Sequence, residues 1–118
     1  MNTKAIKLKL PWPPSVNHYW GSNGNRRFIR KKGIEYRNAV ERILAKRLVK
    51  RMTGRLSIVI AAYPPDRRKR DLDNLQKALF DSLAKGGLYS DDSQIDYFSV
   101  QRCSVCKPGR MEIIVSEI

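Results

Sequence analysis

Ile6, Leu8 and Leu10 alternate with Lys7 and Lys9 along the start of the chain. An apolar residue at every second position turns one face of a strand to a core and the other to water. Residues 4–10 therefore read as a half-exposed strand rather than a signal peptide. The next segment, Pro11-Trp12-Pro13-Pro14-Ser15-Val16-Asn17, carries three prolines, which fix φ and remove backbone donors, so regular structure is expected to stop there. Gly21 to Lys32 has no apolar period and is rich in Gly, Asn and basic residues, which predicts a mobile surface loop. From about Gly33 to Arg51 the period changes. Tyr36, Val40, Ile43, Leu44 and Leu48 recur at helical spacing, and Arg37, Arg42, Lys46, Arg47, Lys50 and Arg51 fill much of the remainder, giving an amphipathic helix with a basic outer face.

Gly54 marks the exit from that helix. Leu56 to Tyr63 is apolar and β-branched on both alternation phases, the pattern of a central strand buried on two faces, and Pro64-Pro65 ends it. A second helix is expected from near Asp73, with Leu72, Leu75, Leu79 and Leu83 toward the core. Gly86-Gly87 stop it by supplying permissive φ angles. Two strands close the chain, about Ile95 to Arg102 and Met111 to Glu117, joined across Lys107-Pro108-Gly109. The order β-α-β-α-β-β, without repeats or linkers, predicts an α+β fold with two helices packed on a mixed sheet. At 118 residues the chain reads as one domain, residues 1–118, which hides roughly two thirds of its unfolded surface.

Charge changes the picture. Lys and Arg number 24 against 11 Asp and Glu, a formal +13. Self-repulsion of that size makes an anionic partner the first explanation, and nucleic acid is the commonest one. A ribosome-associated or merely basic protein is the plainer alternative. Arg26, Arg27, Arg30, Lys31 and Lys32 crowd the first loop, and Arg67-Arg68-Lys69-Arg70 form a second cluster; both suit the grip of a phosphate backbone, or else are solvated charge. No apolar run approaches the roughly 20 residues of a membrane span, so a soluble, cytoplasmic protein is expected. No G-x-x-x-x-G-K-[ST] loop appears, so no nucleotide cofactor is expected. Cys103 and Cys106 form one C-x-x-C, half of a zinc set. Reduced structural cysteines are expected, with a zinc shared across a dimer as the alternative. His18 reads as structural or a loop residue.

The acidic residues are not scattered. All seven aspartates (Asp66, Asp71, Asp73, Asp81, Asp91, Asp92, Asp96) fall within residues 66–96, and all four glutamates fall outside. Aspartate is a short, hard ligand suited to Mg²⁺. Asp71 and Asp73, two apart, would point about 200° away from each other on an ideal helix. They converge only if Asp71 belongs to an extended lead-in and Asp73 to the helix cap. Asp91-Asp92 joins them only if the chain turns back after Gly86-Gly87. Each has an ordinary structural use as well: Asp71 or Asp73 as a cap, Asp73 paired with Lys77 at i,i+4, Asp91-Asp92 as a turn. Taken together, beside a basic run, they favour a metal site for phosphodiester hydrolysis.

Three segments give the chain a family resemblance: Leu10-Pro11-Trp12-Pro13-Pro14-Ser15-Val16-Asn17; Pro65-Asp66-Arg67-Arg68-Lys69-Arg70-Asp71-Leu72-Asp73-Asn74-Leu75-Gln76-Lys77-Ala78; and Gly87-Leu88-Tyr89-Ser90-Asp91-Asp92-Ser93-Gln94-Ile95. Nearly end to end, the chain resembles the RusA family of Holliday junction resolvases. The resemblance implies a compact α+β homodimer that cuts four-way junction DNA with Mg²⁺ or Mn²⁺. It implies Asp71, Asp73 and Asp92 as essential acidic residues and Lys77 as the essential lysine, with Asp91 and Asn74 at further motif positions. The Cys103/Cys106 pair and the extra basic residues of the first loop and helix depart from the family pattern and bear on substrate preference. A non-catalytic branched-DNA binder and a broader flap or fork nuclease are the competing functions.

Overall fold

The computed structural model describes residues 5–118, so Lys4, the first residue of the expected N-terminal strand, lies outside the described residues. The elements run β1 (Ala5–Pro11), α1 (Val16–Tyr19), β2 (Trp20–Asn23), β3 (Arg26–Ile29), α2 (Lys31–Lys46), β4 (Leu56–Tyr63), α3 (Gln76–Lys85), β5 (Ile95–Arg102) and β6 (Arg110–Glu117). Four strands form a mixed sheet in the order β1-β6-β4-β5. β6 pairs antiparallel with both β1 and β4, while β4 and β5 run parallel. The parallel pair needs a long crossover, and α3 supplies it. The last two strands are therefore not neighbours, because β4 lies between them.

One face of the sheet holds the core. Leu8 and Leu10 of β1, Leu56, Ile58 and Ile60 of β4 and Met111, Ile113 and Val115 of β6 are buried against Tyr36, Val40 and Leu44 of α2 and Leu79 and Leu83 of α3. The helices touch closely: a Cβ on Gly86 would stand 2.7 Å from a Leu44 methyl. The other face is open, which corrects the expectation that β4 is buried on both sides. Its buried residues alternate with half-buried or exposed ones, Val59 being 43% and Ile114, its partner across the ladder, 37% exposed. Apolar residues on both phases here mark an inner strand with one uncovered face.

Four further stretches differ from the pattern reading. Most of the Gly21–Lys32 segment, expected as a mobile surface loop, is the β2–β3 hairpin, and its Lys31 and Lys32 open α2; Gly24 takes φ +66° at the hairpin turn, which a residue without Cβ adopts at no steric cost. A one-turn helix, α1, starts inside the stretch expected to be irregular, right after the prolines. α2 ends at Lys46 rather than near Arg51, and Leu48 lies beyond it with φ 51° and 86% exposed instead of on the core face. The expected helix near Asp73 begins as a 3₁₀ turn, Leu72–Asn74, and becomes α-helical at Gln76.

Candidate active site

The basic run leaves the end of β4 through Pro64-Pro65, and Asp66 organises it. Its Oδ1 accepts the Arg68 backbone N–H at 2.9 Å and pairs with Arg70 at 2.8 Å. Arg70 first, then the Arg68 N–H, hold the Asp66 carboxyl below the usual carboxylate range. Arg70 also lies 5.6 Å from the Trp12 ring centroid, and its carbonyl accepts from Arg102 at 2.6 Å. Arg70 is thus turned inward, while Arg67, Arg68 and Lys69 are exposed. The sequence put all four in one class; the structure divides them.

Asp71 is the extended residue before the 3₁₀ turn (φ −87°, ψ 132°), and its side chain makes no capping bond. Its backbone carbonyl accepts the Asn74 N–H at 3.2 Å. Asp71 borders a cavity of about 500 Å³ shared with Trp12, Pro13, Ser15, Lys69 and Asn74. Asp71 thus sits in the extended lead-in, as convergence of the pair requires, but Asp73 is exposed within the 3₁₀ turn and is not at the cap of α3, where Leu75 stands. Lys77 stands exposed in the first turn of α3. Among the described residues it forms no ion pair, so the ordinary i,i+4 bridge to Asp73 is not made.

The chain does turn back after α3. Gly87 adopts φ +94°, Leu88 and Tyr89 are fully buried, and the Tyr89 hydroxyl lies 2.8 Å from the Phe80 carbonyl and 3.2 Å from Asp92 Oδ1. Asp92 is thereby fixed against the middle of α3, at the start of a 3₁₀ turn, Asp92–Gln94. Asp91 caps that turn, accepting the Ser93 N–H at 3.3 Å. The Gln94 amide ties the turn down from both ends. Its oxygen accepts from Ser90 and Asp91 N–H groups, and its nitrogen donates to the Met52 and Gly54 carbonyls, both at 3.0 Å. Partial burial pushes the Asp92 carboxyl above its ordinary range, and the charges of Asp81 and Asp91 push the same way against the Tyr89 hydrogen bond.

Asp81, absent from the sequence-based site, lies in this field. Arg37 of α2 donates to its Oδ2 from Nε at 2.8 Å and pairs with it from Nη2 at 2.7 Å. The buried Tyr19 hydroxyl also donates to Asp81, and the Tyr19 phenol is pushed up to about 12 by burial and by that carboxylate. Asp81 falls four residues after Lys77 on α3, and an aspartate flanked by core positions Leu79, Phe80, Ser82 and Leu83 was the available signal. Its partners on α1 and α2 have no mark in the local pattern.

Pairing sorts the aspartates. Asp66, Asp81 and Asp96 are held by Arg70, Arg37 and Arg55. Among the described residues Asp71, Asp73, Asp91 and Asp92 have no cation within salt-bridge distance, in a chain carrying +13. Short carboxylates left without a counter-charge are what a hard divalent ion takes, so the donors suit one in kind. Among the described residues no three acidic, histidine or cysteine side chains are gathered as a cation site. Asp71 and Asp73 lie at the head of α3, whereas Asp92 lies against its middle. Cys103 and Cys106 are free thiols, with Arg110 donating to the Cys106 sulfur at 3.0 Å, and His18 makes only a local contact with Ser15 at 2.9 Å.

Residues 11–116 match the family model described as Endodeoxyribonuclease RusA. The chain belongs to this family. It is 43% identical to the crossover junction endodeoxyribonuclease RusA of Shigella sonnei (strain Ss046), over the whole chain and 98% of the relative. It is 42% identical to the protein of that name from Escherichia coli (strain K12), and 43% to that of Enterobacteria phage 82, with the same coverage. The family match therefore runs from Pro11 of the Trp12 motif through the basic run and the Asp91-Asp92 turn. No described helix is long and apolar enough to cross a membrane.

Proposed function

We propose that the protein is a Mg²⁺-dependent endonuclease, with Mn²⁺ able to substitute, that resolves four-way DNA junctions as a homodimer in recombination and repair. The observation that carries this reading is the set of unpaired aspartates beside exposed Arg67, Arg68 and Lys69 in a strongly cationic chain. The names of the relatives point the same way. Asp71, Asp73 and Asp92 would hold the ion, which when bound activates water and neutralises charge on the scissile phosphate. Lys77, free and in the first turn of α3, stabilises the charge that develops on that phosphate. Arg67, Arg68, Lys69 and inward Arg70 hold the DNA backbone together with Arg26 and Arg27 of the hairpin and Arg30 and Lys31 at the start of α2. Asn74 borders the Asp71 cavity, while Asp91 acts through the turn that carries Asp92.

A junction has approximate two-fold symmetry, and a C₂ dimer offers two equivalent sites to two equivalent phosphodiesters. The products would carry 5′-phosphate and 3′-hydroxyl ends that a ligase can seal, in the cytoplasm of a bacterium that bears the gene on its chromosome or on a phage. The test is a panel of four-way, three-way and linear duplex substrates with Mg²⁺. Paired nicks confined to the four-way junction support the proposal. Equal cutting of forks or linear duplex would make the protein a broader nuclease, and binding without nicks would make it a branched-DNA binder.

A further inference from the structure

The β2–β3 hairpin is more than a basic arm. It forms a cavity of about 390 Å³ lined by Asn17, Trp20, Gly21, Arg26, Arg27 and Arg30, among others, within the range of small-molecule sites. The Arg27 guanidinium lies 4.7 Å from the Trp20 ring centroid, and Arg30 lies 5.8 Å from that of Phe28 while donating to the Trp20 carbonyl at 3.1 Å. Both aromatic rings of the hairpin thus have a guanidinium beside them. Phe28 is 45% exposed. Its ring lies over Gly21, where an added Cβ would stand 2.5 Å from the ring; any side chain there would expel it. Among the described residues Arg26, Arg27 and Arg30 have no acidic partner. The hairpin cavity and the Asp71 cavity are lined by consecutive residues, Val16 and Asn17 in one and Ser15 in the other.

We propose that this cavity receives one unpaired nucleotide, its base stacked on Trp20 and its phosphate held by Arg26, Arg27 and Arg30. Aromatic faces stack on any base, and arginine grips the attached phosphate. A planar guanidinium already covers the Trp20 ring, where it holds the place of a base until the base displaces it toward the phosphate. Paired DNA offers no free base, so the nucleotide comes from a pair opened at the branch point, beside the scissile bond. This inference rests on the junction-nuclease reading and adds a means of recognising the branch other than backbone charge.

The experiment follows tryptophan emission in EDTA, so that nothing is cut, on titration with an eight-residue oligothymidylate and with blunt duplex. The single strand should quench emission and the duplex should not. Trp20→Leu should weaken single-strand binding about tenfold, the effect of losing one stacking platform, and leave duplex binding in place. Arg27→Ala should keep the quench and reduce the salt slope of single-strand binding by about one. Circular dichroism checks folding. If Trp20→Leu does not fold, Trp20→Phe, which keeps a ring, should retain affinity and lose the quench. The proposal is overturned if folded Trp20→Leu binds oligothymidylate as tightly as the parent, if Trp20→Phe still shows the full quench, or if duplex quenches equally. A 2-aminopurine placed at the branch of a four-way junction should dim on binding to the parent and not to Trp20→Leu. Loss of nicking with this response intact would count against the nuclease reading alone, and nicking without it against the nucleotide pocket alone.

Discussion

Asp92 carries a charge that the fold makes costly. Burial and the neighbouring Asp81 and Asp91 charges raise its carboxyl above the unfolded value. A raised carboxylate binds its proton more tightly when folded than when unfolded. Stability therefore falls as pH rises from the unfolded value through the folded one, and the cost persists at neutral pH. Asp92 is exposed and solvent screens much of this cost, so in EDTA at neutral pH Asp92→Asn should raise the melting temperature only slightly, and the gain should vanish at acid pH. Added Mg²⁺ should stabilise the parent more than this variant. A melting temperature that stays put in calorimetry would mean Asp92 is better solvated than its surroundings suggest. The placing of Asp71 ahead of α3 and of Asp91-Asp92 after it was legible because Pro64-Pro65 and Gly86-Gly87 mark those breaks in the chain. Asp81, Tyr89 and Gln94 were not. Asp81 meets Tyr19 across 62 residues of chain and Gln94 meets Met52 across 42, contacts that no local period encodes.

Among the elements, the Asp91-Asp92 turn depends most on a single side chain. Gln94 makes four hydrogen bonds, two of them to carbonyls on the segment leading into β4. Gln94→Ala leaves those partly buried acceptors without donors, a loss of about 1–3 kcal/mol that urea unfolding would measure; a change under 0.5 kcal/mol, within the range of ordinary surface substitutions, would make Gln94 a bystander. The exposed part of the basic run is a different kind of element. Reversing charge at Arg67 and Arg68 should weaken junction binding and flatten its dependence on salt. An unchanged slope would remove these residues from the phosphate contact. Strands and helices with a clear period (β1, α2, α3 and β6) were readable because one buried face dictates the spacing. The hairpin was not, because β2 and β3 expose most of their residues and are held by Gly24, Trp20 and Phe28 rather than by alternation. β4 misled for the opposite reason: Val59 is apolar but faces the uncovered side of the sheet.

At the scale of the whole molecule, charge and symmetry make the argument. A net +13 spread over the basic turn, the hairpin and α2 suits a branched polyanion contacted at several points. Paired incision needs two sites in fixed relation, so sedimentation at micromolar concentration should give twice the chain mass. A monomer under those conditions would leave paired nicks without an explanation. The most direct measurement of the central claim is nicking of a synthetic four-way junction with Mg²⁺, with EDTA, and with Asp71→Asn. Symmetric nicks in opposed strands should require both metal and Asp71, while the variant should bind the junction as well as or better than the parent because a repelling charge is gone. Nicks that persist in EDTA or in Asp71→Asn would contradict a metal site built on Asp71.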